Sequence, residues 1–186
     1  MSRFRKLSES LAYRGSLITA GRATYEGPSG DRFDRDIVHH PGAVVVVPVL
    51  DGGSTVLMVR QYRAAVDRVL LEVPAGKRDV TDEPVESTAR RELAEEVGMV
   101  AGSLHLLAEF YNSPGFCDEH SWLFLATDLT PCPSSAQGVE EEHMTLERVA
   151  FEAVDGLVAD GELVDAKSLL GLCLARRALR SITGGT

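Results

Sequence analysis

Cysteine is scarce in this sequence, and so are aromatic residues and long apolar runs. Three cysteines, Cys117, Cys132 and Cys173, are spread over 186 residues. The number is odd and no two are spaced as CxxC, which argues against a disulfide framework or a structural zinc site. Reduced thiols fit a cytoplasmic protein. No apolar run approaches the roughly twenty residues of a membrane span, and mean hydropathy is −0.03. The opening segment is basic, but no apolar stretch follows it, so a secretory leader is not expected. Positive charge is in deficit, with 19 Lys and Arg against 28 Asp and Glu and a net charge of −9. Such a chain repels a phosphate backbone, which excludes nucleic-acid binding by bulk electrostatics. An anionic small molecule is still admissible if local arginines or bridging cations receive it.

What is present is enough to build a core: 44% of the residues are apolar. Length favours one main domain with an appended N-terminal element. Residues 10–40 carry short alternating stretches around the turn Gly27-Pro28-Ser29-Gly30, which predicts two or three strands joined by hairpins. Residues 43–50 form an almost continuous β-branched run, suited to a strand buried on both faces. Asp51-Gly52-Gly53 is a hairpin turn leading to a strand over 55–62. A short strand follows over 69–73, and Pro74-Ala75-Gly76 breaks the pattern. A helix is expected over 84–97, capped by Asp82 or Thr81 and stopped by Gly98. Strands are expected over 104–111 and 121–126. Residues 128–143 read as a polar loop, with a short helix over 151–159 and a longer one over 165–180. Mixed strands with a few helices give an α+β fold with a mixed sheet.

The helix over 84–97 carries the chemistry. Val85, Ala89, Leu93 and Val97 recur every four residues and form its core stripe. Glu92, Glu95 and Glu96 lie on an arc roughly 90° from that stripe, so three carboxylates crowd one edge beside the core. Glu92 and Glu96 repel at i,i+4 by about 0.2–0.5 kcal/mol. They also stand near the helix C-terminus, where the dipole disfavours anions. A hard divalent cation with oxygen ligands would compensate, and Arg91 can orient Glu95 as an outer partner. The competing reading is a solvated acidic helix held by Glu86–Arg90 and Arg91–Glu95 pairs.

The run Glu83…Arg91-Glu92-Leu93-Ala94-Glu95-Glu96-Val97-Gly98-Met99 resembles the Nudix box, G-x5-E-x7-R-E-U-x-E-E-x-G-U, and matches it completely from Glu83 onward. One departure stands before it. Gly76 lies six residues ahead of Glu83 instead of five, so Lys77 occupies the strict glycine position, read as a one-residue insertion in the loop 77–82. The resemblance implies an α/β/α sandwich, and a box that binds Mg²⁺ or Mn²⁺ and hydrolyses nucleoside diphosphates linked to another moiety. It implies Glu92 and Glu96 as principal metal ligands with Glu95 assisting, and the backbone carbonyl of Ala75 as a further ligand.

Three features outside the box are similar to the ADP-ribose pyrophosphatase branch of that family. Pro114 lies fifteen residues after Met99, within Ser113-Pro114-Gly115-Phe116; the resemblance makes Pro114, Gly115 and Phe116 substrate-binding. Val59-Arg60-Gln61-Tyr62-Arg63 followed by Glu72-Val73-Pro74-Ala75-Gly76 is similar to the branch's strand and entry to the box, with Arg63 matching an arginine that reaches the substrate phosphates. The segment Asp34–Ala43 has the look of the branch's N-terminal sheet, with Arg35 matching a substrate-touching arginine and Phe33 a weak candidate for stacking on adenine. The resemblance implies a general base on a late mobile loop. Glu141 is favoured, Glu140 stands close behind, and Glu142 is assigned to a water-ligated metal. His39, His40, His105 and His120 receive no role.

The expectation is therefore a cytoplasmic homodimer acting on a small nucleotide, with residues 1–40 as an exchanged strand region and 41–186 as the Nudix domain. The reaction implied is hydrolysis of ADP-ribose to AMP and ribose 5-phosphate. The alternatives are the same chemistry on a UDP- or GDP-sugar, a nucleoside triphosphatase, and a catalytically silent nucleotide sensor.

Overall fold

The computed structural model describes residues 3–80, 82–135 and 139–183. Among the described residues, ten strands and four α-helices follow one another. They are β1 (Arg5–Arg14), β2 (Thr19–Glu26), β3 (Arg32–His39), β4 (Ala43–Leu50), β5 (Thr55–Arg63), β6 (Arg68–Glu72) and β7 (Ala75–Lys77), then α1 (Val85–Glu92), β8 (Met99–Tyr111), β9 (His120–Pro131), α2 (Val139–Glu142), β10 (Thr145–Ala150), α3 (Val154–Ala159) and α4 (Ala166–Thr183). The chain forms two compact units, one of residues 1–42 and 110–121, the other of residues 43–109 and 122–186.

The first unit is built on an antiparallel sheet, β1-β2-β3. The expected turn at Gly27–Gly30 closes the β2–β3 hairpin, with Gly27 N–H donating to Asp31 O at 2.8 Å. Gly30 takes φ +89°, a left-handed conformation natural to glycine. Residues Ser113–Asp118 run beside the end of β3: Val38 N–H donates to Phe116 O at 2.7 Å and Asp118 N–H to Val38 O at 3.1 Å.

The second unit is layered about β4. The main sheet runs β10-β5-β4-β9-β8, with β6 added beside β5 and β7 beside β4. Seven of the eight β4 residues are buried, as its β-branched run requires. Successive side chains of a strand point to opposite faces. Val44 and Val46 pack with Leu57, Phe124, Ala89, Leu93 and Val97, which is the α1 side. Val47 and Leu123 lie against Gly171 of α4, where an added Cβ would come within 3.0 and 3.2 Å of them. Helices on both faces of one sheet make the α/β/α sandwich, an α+β fold.

Several elements depart from expectation. Pro74-Ala75-Gly76 does not simply break the strand: Ala75–Lys77 pairs antiparallel with Val45–Ala43. The helix 84–97 is two pieces, α1 and a π turn over Leu93–Val97, ended by Gly98 at φ +67°. Asp82 does not hold the cap position. No side-chain cap is present at Pro84, which precedes the first helical residue, and Thr81 lies outside the described residues. Instead, Thr88 Oγ donates to Glu83 Oε2 at 2.8 Å. Strand β10 falls just after the expected polar loop and pairs antiparallel with β5.

Candidate active site

The three box carboxylates reach the end of α1 and the π turn as the sequence places them, but they do not share one environment. Glu92 and Glu96 are each 8% exposed, whereas Glu95 is half-buried. A carboxylate out of water favours its neutral form. Burial pushes Glu92 up to about 7; Arg91 pulls the other way and Glu95 adds to the rise. The π turn widens the backbone where Glu95 and Glu96 leave it, a local irregularity that recurs at functional sites.

Gly76 explains the packing of Glu92. A Cβ built at position 76 would fall inside the Glu92 carboxylate. The glycine one residue out of strict register thus performs the steric task of the motif glycine, because β7 brings it, not Lys77, beneath Glu92. The extra residue is taken up in the following loop. There Arg78 stacks on the Trp122 ring at 4.7 Å and donates to the Glu83 carbonyl at 2.9 Å.

Arg91 gathers the acids. Its guanidinium lies 2.8 Å from Glu92, 2.9 Å from Glu95 and 3.3 Å from Glu83, with Asp79 at 3.6 Å. The expected Arg91–Glu95 contact is therefore present, within a larger cluster. Glu86–Arg90 forms at 2.9 Å on the exposed face. Among the described residues, no three acidic, histidine or cysteine side chains already surround a common point. The donor set nevertheless fits a hard divalent cation. Its side-chain donors are carboxylate oxygens, two of the acids are buried, and one of these holds its proton to near neutrality unless a cation offsets its charge.

Arg63 and Glu72 are joined across the β5–β6 hairpin. Arg63 Nε donates to Glu72 Oε1 at 2.8 Å and Nη2 to Oε2 at 2.7 Å. Glu72 is 1% exposed. The bonds to Glu72 hold Arg63 more firmly protonated than usual, and Glu96 contributes to the same effect. Lys167 Nζ stands 3.8 Å from Glu72 and 2.6 Å from Asp165. Glu72 has no role in the sequence-based expectation, and Lys167 and Asp165 are absent from it. A charged residue inside the run Val69-Leu70-Leu71-Glu72-Val73 was the available signal, since a buried charge needs a partner.

Glu140 lines a cavity of about 330 Å³ with Arg60, Tyr62, Val69, Val139, His143 and Thr145. Glu142 is exposed in the last turn of α2. The side chain of Glu141, the favoured base, lies outside the described residues.

Arg35, Pro114, Gly115 and Phe116 belong to the first unit. Arg35 lies 4.7 Å from the Phe33 ring centre, and Tyr25 stacks on the same ring at 5.6 Å. Phe116 is 56% exposed. His39, given no role from the sequence, joins Glu9 at 2.6 Å and Asp118 at 2.5 Å. Those partners are 30 and 79 residues away in sequence, which is why spacing did not reveal them.

Comparison with known proteins gives the family of the chain. The model of the NUDIX domain matches residues 39–170. The chain is 38% identical over 162 residues to an ADP-ribose pyrophosphatase of Bacillus subtilis, covering 87% of this chain and 86% of the relative. It is 34% identical over 182 residues to an ADP-ribose pyrophosphatase of Mycobacterium tuberculosis, covering 98% and 86%. The crystal structure of an ADP compounds hydrolase superposes with a TM-score of 0.83 at 25% identity, over 97% of this chain and 96% of that one. A complete carboxylate box on a helix of the second unit, inside a match of this extent, makes the chain a member of the NUDIX domain family.

Proposed function

We propose that this chain hydrolyses the diphosphate bond of ADP-ribose, releasing AMP and ribose 5-phosphate, with Mg²⁺ or Mn²⁺ as cofactor. The observation that carries the chemistry is the burial of Glu92 and Glu96 at the end of the box helix, with Glu92 seated over Gly76. The substrate follows from the two ADP-ribose pyrophosphatases that the chain resembles along most of its length.

Glu92, Glu96 and the Ala75 carbonyl would hold the cation, with Glu95 and Glu142 as further ligands. When bound, such a cation neutralises the diphosphate and lowers the pKa of an attacking water. Arg91 keeps Glu95 in place from one turn earlier. Arg63 supplies fixed positive charge for the diphosphate, and Arg35 with Pro114, Gly115 and Phe116 receives the remainder of the substrate. Glu141 takes the proton of the attacking water, with Glu140 the next candidate. The α2 segment carrying both is short and borders an open cavity, as a closing loop requires.

The working form is read as a cytoplasmic homodimer that exchanges residues 1–40 between subunits. Phe4, Leu11, Tyr13 and Leu17 support that reading: they are 63%, 50%, 57% and 47% exposed on the first unit, and a covering partner would take their apolar surface out of water. No helix among the described residues is long and apolar enough to cross a membrane.

The test is a product assay. The protein is incubated with ADP-ribose, UDP-glucose and GDP-mannose in parallel, with Mg²⁺, and the products are separated. AMP and ribose 5-phosphate in preference to the other products support the assignment. Preferential cleavage of a different nucleoside diphosphate sugar keeps the chemistry and overturns the substrate.

A further inference from the structure

Arg63 offers a guanidinium whose donors are unevenly spent. A guanidinium carries five N–H donors in a rigid plane. Glu72 engages the inner edge, taking Nε at 2.8 Å and Nη2 at 2.7 Å. That leaves both N–H groups of Nη1 and one of Nη2; the free N–H of Nη2 and the adjacent one of Nη1 form the second, end-on edge of the fork. Two parallel N–H groups on one edge match two oxygens of a phosphate. The burial is equally uneven. The Glu72 side chain is 1% exposed and the Arg63 side chain 35%, so the anchored edge lies inside and solvent reaches the remainder.

The surroundings of Glu72 favour a mount over a closed ion pair. Lys167 Nζ, 3.8 Å from Glu72 Oε2, shares the negative charge. Lys167 is itself held by Asp165 at 2.6 Å. Asp165 accepts from Ser168 N–H at 2.9 Å and from Ser168 Oγ at 2.7 Å, and the same Oγ accepts from Val73 N–H at 2.9 Å. The first turn of α4 is thereby tied to the residue that follows Glu72. Arg63 and Lys167 stand against Glu72 and Asp165, two cations with two carboxylates, so what Glu72 gives Arg63 is a fixed orientation.

We propose that Glu72 is a positioning residue, which fixes Arg63 by its inner edge so that its outer edge receives the phosphate oxygens of a nucleoside diphosphate. The inference rests on the reading above that Arg63 meets the substrate diphosphate. Arg63 need not leave its partner to do so; pre-orientation of this kind removes the cost of ordering a long side chain at binding.

The experiment compares wild type, Glu72→Gln, Arg63→Lys and the double variant. It reads KM and kcat on ADP-ribose with Mg²⁺, the calorimetric Kd for ADP, and the melting temperature. ADP carries the diphosphate whether or not it is turned over. Glu72→Gln is expected to raise KM and the Kd for ADP by about ten- to a hundredfold, the usual effect of losing a partner that orients a site ligand, with a smaller change in kcat. Arg63→Lys is expected to weaken ADP binding comparably, and the double variant to bind no worse than Arg63→Lys alone. A lower melting temperature with KM and Kd unchanged would make Glu72 a structural residue only and overturn the proposal. So would independent, multiplying effects of the two substitutions. If Arg63→Lys leaves ADP binding intact, Arg63 is not the phosphate contact and the proposal falls with it. If wild type binds ADP but does not hydrolyse ADP-ribose, the substrate assignment fails while the Kd comparison still decides the role of Glu72. Should Glu72→Gln not fold, Glu72→Asp, which keeps the charge but shortens the mount, gives the same comparison.

Discussion

A single missing Cβ distinguishes Gly76 from its neighbours. The carboxylate of Glu92 occupies the space that any larger residue would need. The atoms displaced by a methyl group would be the far end of one side chain, so Gly76→Ala is expected to cost little stability. Turnover should nevertheless drop by about tenfold or more if the displaced group is the metal ligand proposed above and not packing. Thermal melting and kinetics on one preparation separate the two effects. A variant that melts far below wild type would instead mean that the backbone of β7, not the carboxylate, gives way. The box spacing itself was readable in the sequence down to each carboxylate. The loop path was not: only the pairing of Ala75–Lys77 with β4 shows which residue sits beneath Glu92.

Elements were legible where one interaction dominates. Strand β4 announced itself because every side chain is apolar and both sheet faces are covered, and Gly98 closed the box helix where glycine tolerates positive φ. The π turn was not legible, since Val85, Ala89, Leu93 and Val97 suit an ordinary helical stripe and the widening is settled by packing. Strand β10 was hidden for a related reason: its alternation is weak and Leu146 is 50% exposed, so pairing with β5 defines it.

The His39 junction shows how pH acts at this scale. It ties β3 to β1 through Glu9 and to the Ser113–Asp118 segment through Asp118. Hydrogen bonds to Asp118 and then Glu9 raise His39 above its ordinary 6.5. Bonds from Lys6 and then His39 lower Glu9 below 4.5. Burial works against Asp118, but His39 and the His40 backbone N–H outweigh it and bring it below 3.8. A raised histidine stabilises fully below its unfolded value and loses that contribution as pH rises through its folded value. Lowered carboxylates stabilise above their unfolded values and lose that contribution as pH falls through their folded ones. The junction is therefore complete between about 4.5 and 6.5 by the ordinary values of its members. The melting temperature should decline as pH rises beyond that window, and His39→Gln should remove much of the decline. An unchanged alkaline limb in the variant would place the pH sensitivity elsewhere.

For the whole molecule, the exposed apolar side chains of the first unit carry the expectation of a homodimer. Replacing both Leu11 and Tyr13 by Asp is expected to convert a species of twice 20.1 kDa into a monomer by light scattering, because burying charge at an apolar contact is unfavourable. A wild-type chain that scatters as a monomer at working concentration would contradict the exchange of residues 1–40. We propose that the NUDIX carboxylate site of this chain hydrolyses ADP-ribose. The most direct test is release of AMP from ADP-ribose with Mg²⁺, with Mg²⁺ removed by chelation, and with Glu96→Gln in place of wild type. AMP and ribose 5-phosphate are expected in equal amounts only with the cation, with a loss of about a hundredfold or more in the variant, the scale of removing one group that stabilises the reacting charge. Equal turnover by wild type and Glu96→Gln, or turnover indifferent to chelation, would contradict this assignment.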